Sequence, residues 1–399
     1  MSVTMNNIKP LILLVFMAAC SAPSQNKLVT QDPVTENFQF ASEQLSLALE
    51  ALGDSKLNPR NTEPDGSLRL VKSKSWTSGF FPGNLWYLYE YTKEDKWKKA
   101  ATQFTSNIED QQYNGQTHDM GFKMYCSYGN GLRLTGDPAF KEILLQSAKT
   151  LITRFNPKLG CIRSWDHNSD KWQFPVIIDN MMNLELLFWA TKASGDSTFY
   201  DIAVSHAETT MKNHFREDNS SYHVVNYDTL TGNVLDKHTH QGYAHESAWS
   251  RGQAWGLYGY TLMYRETGDE RFLNQATKIA EYILNHPNMP KNMVPYWDFN
   301  APGIPNEPRD ASAAAVISSA LYELSSYAGE KKDRYLHAAN KILESLSSPA
   351  YRAIIGQNNN FILLHSVGSK PMGSEVDVPI VYADYYFLEA NLRKLTFDK

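Results

Sequence analysis

Five short turns share one grammar, and they constrain the fold of this 399-residue chain more than any other feature. They lie in "YEYTKEDKWKKAATQF", "LRLTGDPAFKEILLQSA", "TKASGDSTFYDIAVSHA", "YRETGDERFLNQATKIA" and "SSYAGEKKDRYLHAANKI". In each, an apolar helical run ends at a small residue plus Gly (Lys in the first), an acid follows, and an aromatic comes soon after. The Gly suits the left-handed position that stops a helix. The acid suits the N-cap of the next helix, and Pro138 stands at a favoured first helical position. Each unit is therefore a helical hairpin.

The turns fall about 40–75 residues apart, the spacing of a repeat architecture. First members of the pairs are expected near 77–91, 120–135, 180–193, 247–266 and 311–327. Second members are expected near 95–108, 138–154, 196–214, 269–286 and 330–347. Two further helices, near 36–52 and 379–395, complete a set of twelve. The fold class is all-α, an (α/α)6 barrel of six hairpins, with an open α-solenoid as the alternative. The last helix, "PIVYADYYFLEANLRKL", is apolar over much of its surface and makes a poor solenoid cap, which favours the closed ring. First members are rich in Trp, Tyr, Leu and Gly and belong inside; second members carry Lys and Glu at helical spacing and belong outside.

The N-terminus stands apart from this pattern. "NNIKPLILLVFMAACSAPSQ" carries one Lys and an apolar run too short to span a bilayer. Residues 1–19 read as a signal peptide, and small residues before Cys20 read as a lipoprotein-type cleavage site with Cys20 lipidated. Residues 20–35 are a flexible tether and 36–399 one domain. The protein is expected to be exported, to the periplasm or outer membrane, with a lipid anchor as its only membrane attachment. Net charge is −5, which argues against nucleic-acid binding. Cys126 and Cys161 remain, too few for a disulfide framework.

Long segments precede the inner helices, at 54–76, 155–178, 215–246, 287–310 and 348–378, and open on one end of the barrel. Function concentrates on such loops. "YHVVNYDTLTGNVLDKHTH" alternates like a β-hairpin and would sit over the mouth. The helix starts there supply Trp76, His118, Asp119, Asp179, Gln241, His245, Arg251, Trp255, Asp310 and Asp377. The loops add Trp165 and His223. Asp119 and Asp179, on successive inner helices, could share a pocket in which one is protonated and the other ionised, as general acid/base work requires. Helix capping alone would equally account for Asp179, Asp310 and Asp377. A nucleophile elbow, a phosphate loop and a dinucleotide fingerprint are lacking. "HTH" at 238–240, with His245 and His223, could ligate a metal only if the loop folded back, and a solvated loop is the simpler reading.

"HDMGF", "IDNMMNL" and "ESAWSRGQAWGLYGY", with the twelve-helix plan, resemble glycoside hydrolase family 88, the unsaturated glucuronyl hydrolases. Family 105, which acts on pectin fragments, shares the barrel and paired Asp residues and is the runner-up. The resemblance implies an enzyme that removes a 4,5-unsaturated glucuronyl residue from lyase-made oligosaccharides by hydrating the C4=C5 bond. It implies Asp179 as general acid/base and Asp119 as the second carboxylate. It places Trp76, His118, Trp165, His223, Gln241, Arg251 and Trp255 against the sugar, and requires neither cofactor nor metal. The partner would be an anionic unsaturated oligosaccharide. "LLHSVGSKP" offers Ser366, Ser369 and Lys370 for a sulfate on the leaving sugar, from a glycosaminoglycan or from ulvan; a solvated turn is the alternative. A glycan-binding lipoprotein without catalysis is the competing class.

Overall fold

The computed structural model describes residues 1–3 and 32–397. Residues 4–31, with Cys20 and most of the expected signal peptide and tether, lie outside the described residues. Twelve α-helices occur among those described: α1 (Pro33–Leu52), α2 (Phe80–Thr92), α3 (Asp95–Ser106), α4 (Asn130–Thr135), α5 (Pro138–Ile152), α6 (Leu184–Ser194), α7 (Thr198–Asn213), α8 (Ser250–Thr267), α9 (Glu270–Asn285), α10 (Ala311–Ser325), α11 (Lys332–Ser347) and α12 (Val381–Lys394). Helix α1 begins at Pro33, three residues before the expected domain start, with Val34 and Phe38 fully buried.

The hairpin grammar holds at most of the turns; at the fifth, α10 ends at Ser325, ahead of Gly329, and at the first Glu94 makes no side-chain cap. Gly136, Gly195 and Gly268 end α4, α6 and α8 in the left-handed conformation (φ 71°, 79° and 68°), and Lys93 does the same after α2 at φ 61°. Asp137 and Asp269 cap α5 and α9 by accepting from the N–H groups of Ala139 and Arg271. The inner members form a closed circuit. Helix α12 packs on α2, α2 on the segment before α4, that segment on α6, α6 on α8, α8 on α10, and α10 returns to α12. The (α/α)6 barrel is therefore a closed ring.

Two inner members depart from the expected single α-helix. Residues Gly121–Gly129 form a π-helix leading into α4, and Ile178–Asn183 form a 3-10 turn leading into α6. The two segments are in close contact at their crossing. A Cβ on Gly121 would stand 2.6 Å from the Asn183 Cα, and Asn183 Oδ1 accepts the Phe122 N–H at 3.0 Å.

The mouth segments carry short strands. They are β1 (Asn58–Thr62), β2 (Leu68–Val71), β3 (Phe155–Asn156), β4 (Cys161–Ile162), β5 (Pro175–Ile177), β6 (Val224–Tyr227), β7 (Val234–His238), β8 (Ser366–Ser369) and β9 (Ser374–Val378). The expected hairpin is β6–β7, and β5 pairs antiparallel with β6 to make a three-stranded sheet. The other strands form the hairpins β1–β2, β3–β4 and β8–β9. Cys126 and Cys161 are buried free thiols.

Candidate active site

The mouth segments enclose a cleft of about 240 Å³. Arg60 and Trp76 come from the 54–76 segment, Trp165 and His167 from 155–178, and His240 and Gln241 from 215–246. The β8–β9 hairpin adds Ser369, Met372, Ser374 and Glu375, and α12 adds Tyr382. Trp165 stacks on His167 with centroids 4.9 Å apart, and Trp76 leans on Tyr382 at 5.0 Å. Aromatic faces beside polar groups suit a sugar ring.

Asp179 lies in the 3-10 turn, 8 % exposed, and makes no capping hydrogen bond. Capping is thus not what keeps it there. Its Oδ2 is buried without a hydrogen-bond partner, and His223 Nε2 stands 3.6 Å from it. Burial above all, with help from Asp119, pushes its carboxyl up to about 6 against the opposing pull of His118 and Arg251. His223 Nδ1 accepts the backbone N–H groups of His240 (3.1 Å) and Gln241 (3.2 Å). Burial holds this imidazole well below its ordinary value, so it is neutral, with its proton on Nε2 and directed at Asp179.

Asp119 is the reverse case. Burial favours its neutral form, but the His118 imidazole, the Thr117 hydroxyl and the Lys123 ammonium outweigh that and hold it below the usual carboxylate range. His118 Nε2 stands 3.2 Å from Oδ1, and Thr117 Oγ1 donates to Oδ2 at 2.5 Å. One acid poised near neutrality and one ionised is the arrangement of an acid/base site.

The family model for Glycosyl Hydrolase Family 88 matches residues 54–394. The chain belongs to glycoside hydrolase family 88. Its similarity extends to an unsaturated glucuronyl hydrolase of Formosa agariphila, 54% identical over 325 residues and 81% of each chain. An unsaturated chondroitin disaccharide hydrolase of Streptococcus pneumoniae is 33% identical over 92% of this chain and 93% of its own. Among solved structures, an unsaturated glucuronyl hydrolase specific for heparin superposes with a TM-score of 0.90 at 50% identity, covering 92% of this chain and 98% of that one. These matches to named hydrolases favour an enzyme over a non-catalytic glycan binder.

Within this family-88 site the other candidates divide. Trp76, Trp165, Gln241 and Ser369 line the cleft, while His118 and His223 stand behind it against the carboxylates. Gln241 Nε2 donates to the Gly368 carbonyl, which ties its side chain to β8. Arg251 is only 1 % exposed. Its Nη atoms donate to Asp310 and to the Val367 and Gly368 carbonyls, so the guanidinium braces β8, and Nε alone has no acceptor.

Four expectations need correction. Trp255 is fully buried between Phe122 and Tyr386 and is not among the residues that line the cleft. Ser366 is fully buried and does not line the cleft, because β8 turns it inward. Lys370 leaves the strand at the hairpin turn, and its ammonium pairs with Glu307 from the 287–310 segment. Of the three capping candidates only Asp310 caps, accepting from Ser312 and Ala313 at the start of α10. Asp377 lies on β9 at φ 58°, paired with exposed His365 at 2.7 Å.

Sequence reasoning passed over Arg60, Glu375, Tyr382 and Lys123. Arg60 and Glu375 form a two-pronged ion pair between residues 315 positions apart, which leaves no local trace. Lys123 did leave one, as the single cation in the apolar run "GFKMYCSYG". It is fully buried, donates to Gln111 Oε1 at 3.0 Å, and burial lowers it to about 8 against the pull of Asp119 and Asp110.

Proposed function

We propose that this chain removes a 4,5-unsaturated glucuronyl residue from the non-reducing end of glycosaminoglycan fragments produced by polysaccharide lyases. The observation that carries the reading is the carboxyl pair, Asp179 raised to about 6 beside an ionised Asp119. Asp179 gives its proton to C4 of the enol ether. Water adds to C5 and returns a proton to the Asp179 carboxylate, and the resulting hemiketal opens to release the remaining saccharide. The Nε2–H of His223 steadies Asp179 once it is ionised. Asp119 and His118 accept and donate to the sugar hydroxyls, and Trp76 and Trp165 cover its faces. The positive field of Arg251, which already acts on Asp179, favours a substrate carboxylate.

Glycosaminoglycan substrates are supported by the relatives, one described as specific for heparin and one as a chondroitin disaccharide hydrolase. Ser369 is the hydroxyl positioned to meet the leaving sugar, and a sulfate there would accept its hydrogen bond. The activity test uses lyase-treated heparin, chondroitin, hyaluronan and ulvan. Each carries a near-ultraviolet absorbance that disappears on hydration. Loss of absorbance on heparin or chondroitin fragments is expected; loss on ulvan alone moves the substrate, and no loss on any of them overturns the enzymatic reading.

We further propose that a lipid on Cys20 holds the protein in the periplasm or outer membrane. Membrane fractions of the producing cell should hold the mature chain beginning at Cys20, and Cys20→Ser should release it to the soluble fraction. A soluble wild-type protein would refute the anchor.

A further inference from the structure

The stretch "HTHQGYAH" (238–245) leaves the end of β7 and enters the cleft wall, which His240 and Gln241 line. It has no backbone ladder of its own. Every N–H from Thr239 to Ala244 is accepted by a side chain. Thr239 donates to His245 Nδ1 at 3.1 Å, His240 and Gln241 donate to His223 Nδ1, and Gly242 donates to Thr239 Oγ1 at 2.7 Å. Tyr243 donates to Asp298 Oδ2 and Ala244 to Ser247 Oγ. The path of this turn is therefore set by side-chain acceptors, and with it the aim of the two N–H groups that meet His223.

His245 is the acceptor at which the turn starts. The β6–β7 ladder ends at the Val224–His238 pair, so Thr239 is the first residue beyond it. His245 folds back over that point. Its Nε2 stands 3.4 Å from His238 Nδ1, with the two rings perpendicular and their centroids 4.6 Å apart. Because Nδ1 takes the Thr239 N–H, the proton of the neutral ring is on Nε2 and directed at His238. His238 then carries its own proton on Nε2, 2.6 Å from Asp236 Oδ1. Arg216 fixes the backbone there by donating to the His245 carbonyl at 2.7 Å. His245 is exposed, yet both of its ring nitrogens are engaged within the turn. Burial, His238 and Lys171 hold it below its ordinary value against Glu246 and Asp236, which keeps the ring neutral near neutral pH.

The consequence reaches the proton donor. His223 Nδ1 takes no proton while two N–H groups point at it, so the imidazole beside Asp179 stays neutral. His240, Arg251, His214 and His118 also oppose a charge on this ring. With the turn released, Nδ1 is free to protonate and Asp179, 3.6 Å from the other nitrogen, is the carboxylate that would stabilise the imidazolium. The same pairing would hold Asp179 ionised and take away its proton for catalysis. We propose that His245 is a positioning residue of the hydration reaction: by holding Thr239 it aims the His240 and Gln241 N–H groups at His223 and so keeps the group that faces Asp179 neutral. The proposal rests on the reading of Asp179 as the proton donor.

The test compares His245→Ala with His245→Asn, whose side-chain oxygen can replace Nδ1 as acceptor of the Thr239 N–H. Circular dichroism confirms that both are folded. Nitrogen NMR of the full-length protein with labelled histidine reads His223 directly, its signal identified by its loss in His223→Gln. In the wild type and in His245→Asn, His223 should keep its proton on Nε2 and not titrate between about pH 5 and 8; in His245→Ala it should take up a second proton in that range. Kinetics on lyase-made heparin or chondroitin disaccharides supply the second readout. The alkaline limb of kcat should move about one pH unit lower in His245→Ala, an about tenfold loss of kcat at about pH 7.5, and should keep its place in His245→Asn. An unchanged His223 signal in His245→Ala overturns the proposal, and so does a slower enzyme whose alkaline limb has not moved. If the wild type hydrolyses none of the disaccharides, the hydrolase reading fails, and the NMR titration by itself decides whether His245 sets His223.

Discussion

His223 directs its Nε2 at Asp179, 3.6 Å from Oδ2, because two backbone N–H groups already occupy its Nδ1. The tautomer is fixed by the chain's own backbone at His240 and Gln241, so the acid faces a donor and not a competing base. A neutral donor stabilises the carboxylate that forms after proton transfer without holding it ionised beforehand.

The Asp179→Asn variant should lose about 10²–10⁴-fold in kcat while keeping its fold, the usual share of a positioned general acid. It should also be more stable. The carboxyl sits near 3.8 when free and about 6 in the fold, so its favourable contribution is complete below about pH 4 and lost as pH rises through 6. At pH 7.5 the ionised form costs about 2–3 kcal/mol, which the amide avoids. A thermal melt at pH 7.5 in which the variant unfolds earlier than the wild type would contradict the burial argument.

The pH dependence of kcat/KM should have two limbs. Activity requires protonated Asp179 and falls above about pH 6, and it requires ionised Asp119 and falls only below the usual carboxylate range. Replacing Lys123 with Met removes a cation that favours ionised Asp119 and should move the acid limb to higher pH. Rate profiles of the two proteins decide this, since a purely structural loss would lower both limbs without moving either.

Breaking the buried Arg251–Asp310 pair should be severe. The Arg251→Met variant leaves the fully buried Asp310 without its guanidinium partner and frees the Val367 and Gly368 carbonyls. Urea titration should register a loss of about 3–5 kcal/mol.

Lys370→Ala is expected to do little to sulfate preference, because Glu307 already neutralises the ammonium. Turnover of sulfated and unsulfated disaccharides should change together. A loss confined to the sulfated substrate would show that the ion pair opens on binding.

The architecture was legible because its cues are local. A Gly at a helix C-terminus, an Asp two residues before the N–H it caps, and an apolar stripe at 3.6-residue spacing each act within one or two turns. Recurring along the chain, they define the hairpins and their inner and outer members. The two carboxylates were legible for the same reason, standing at equivalent starts of successive inner helices.

What the tertiary structure alone decided depends on segments far apart in sequence. Whether Asp179 caps a helix or carries a proton turns on the crossing of Gly121 against Asn183, which coincides with a 3-10 turn at Asp179 and leaves it without a capping bond. Whether Lys370 meets a sulfate turns on Glu307, 63 positions earlier. The raised pKa of Asp179 itself arises from burial by the whole ring and from Asp119, against the opposing pull of His118 and Arg251. Periodicity places a residue on a face of its own helix; the electrostatic environment of that residue is the sum over every element the closed ring brings to it.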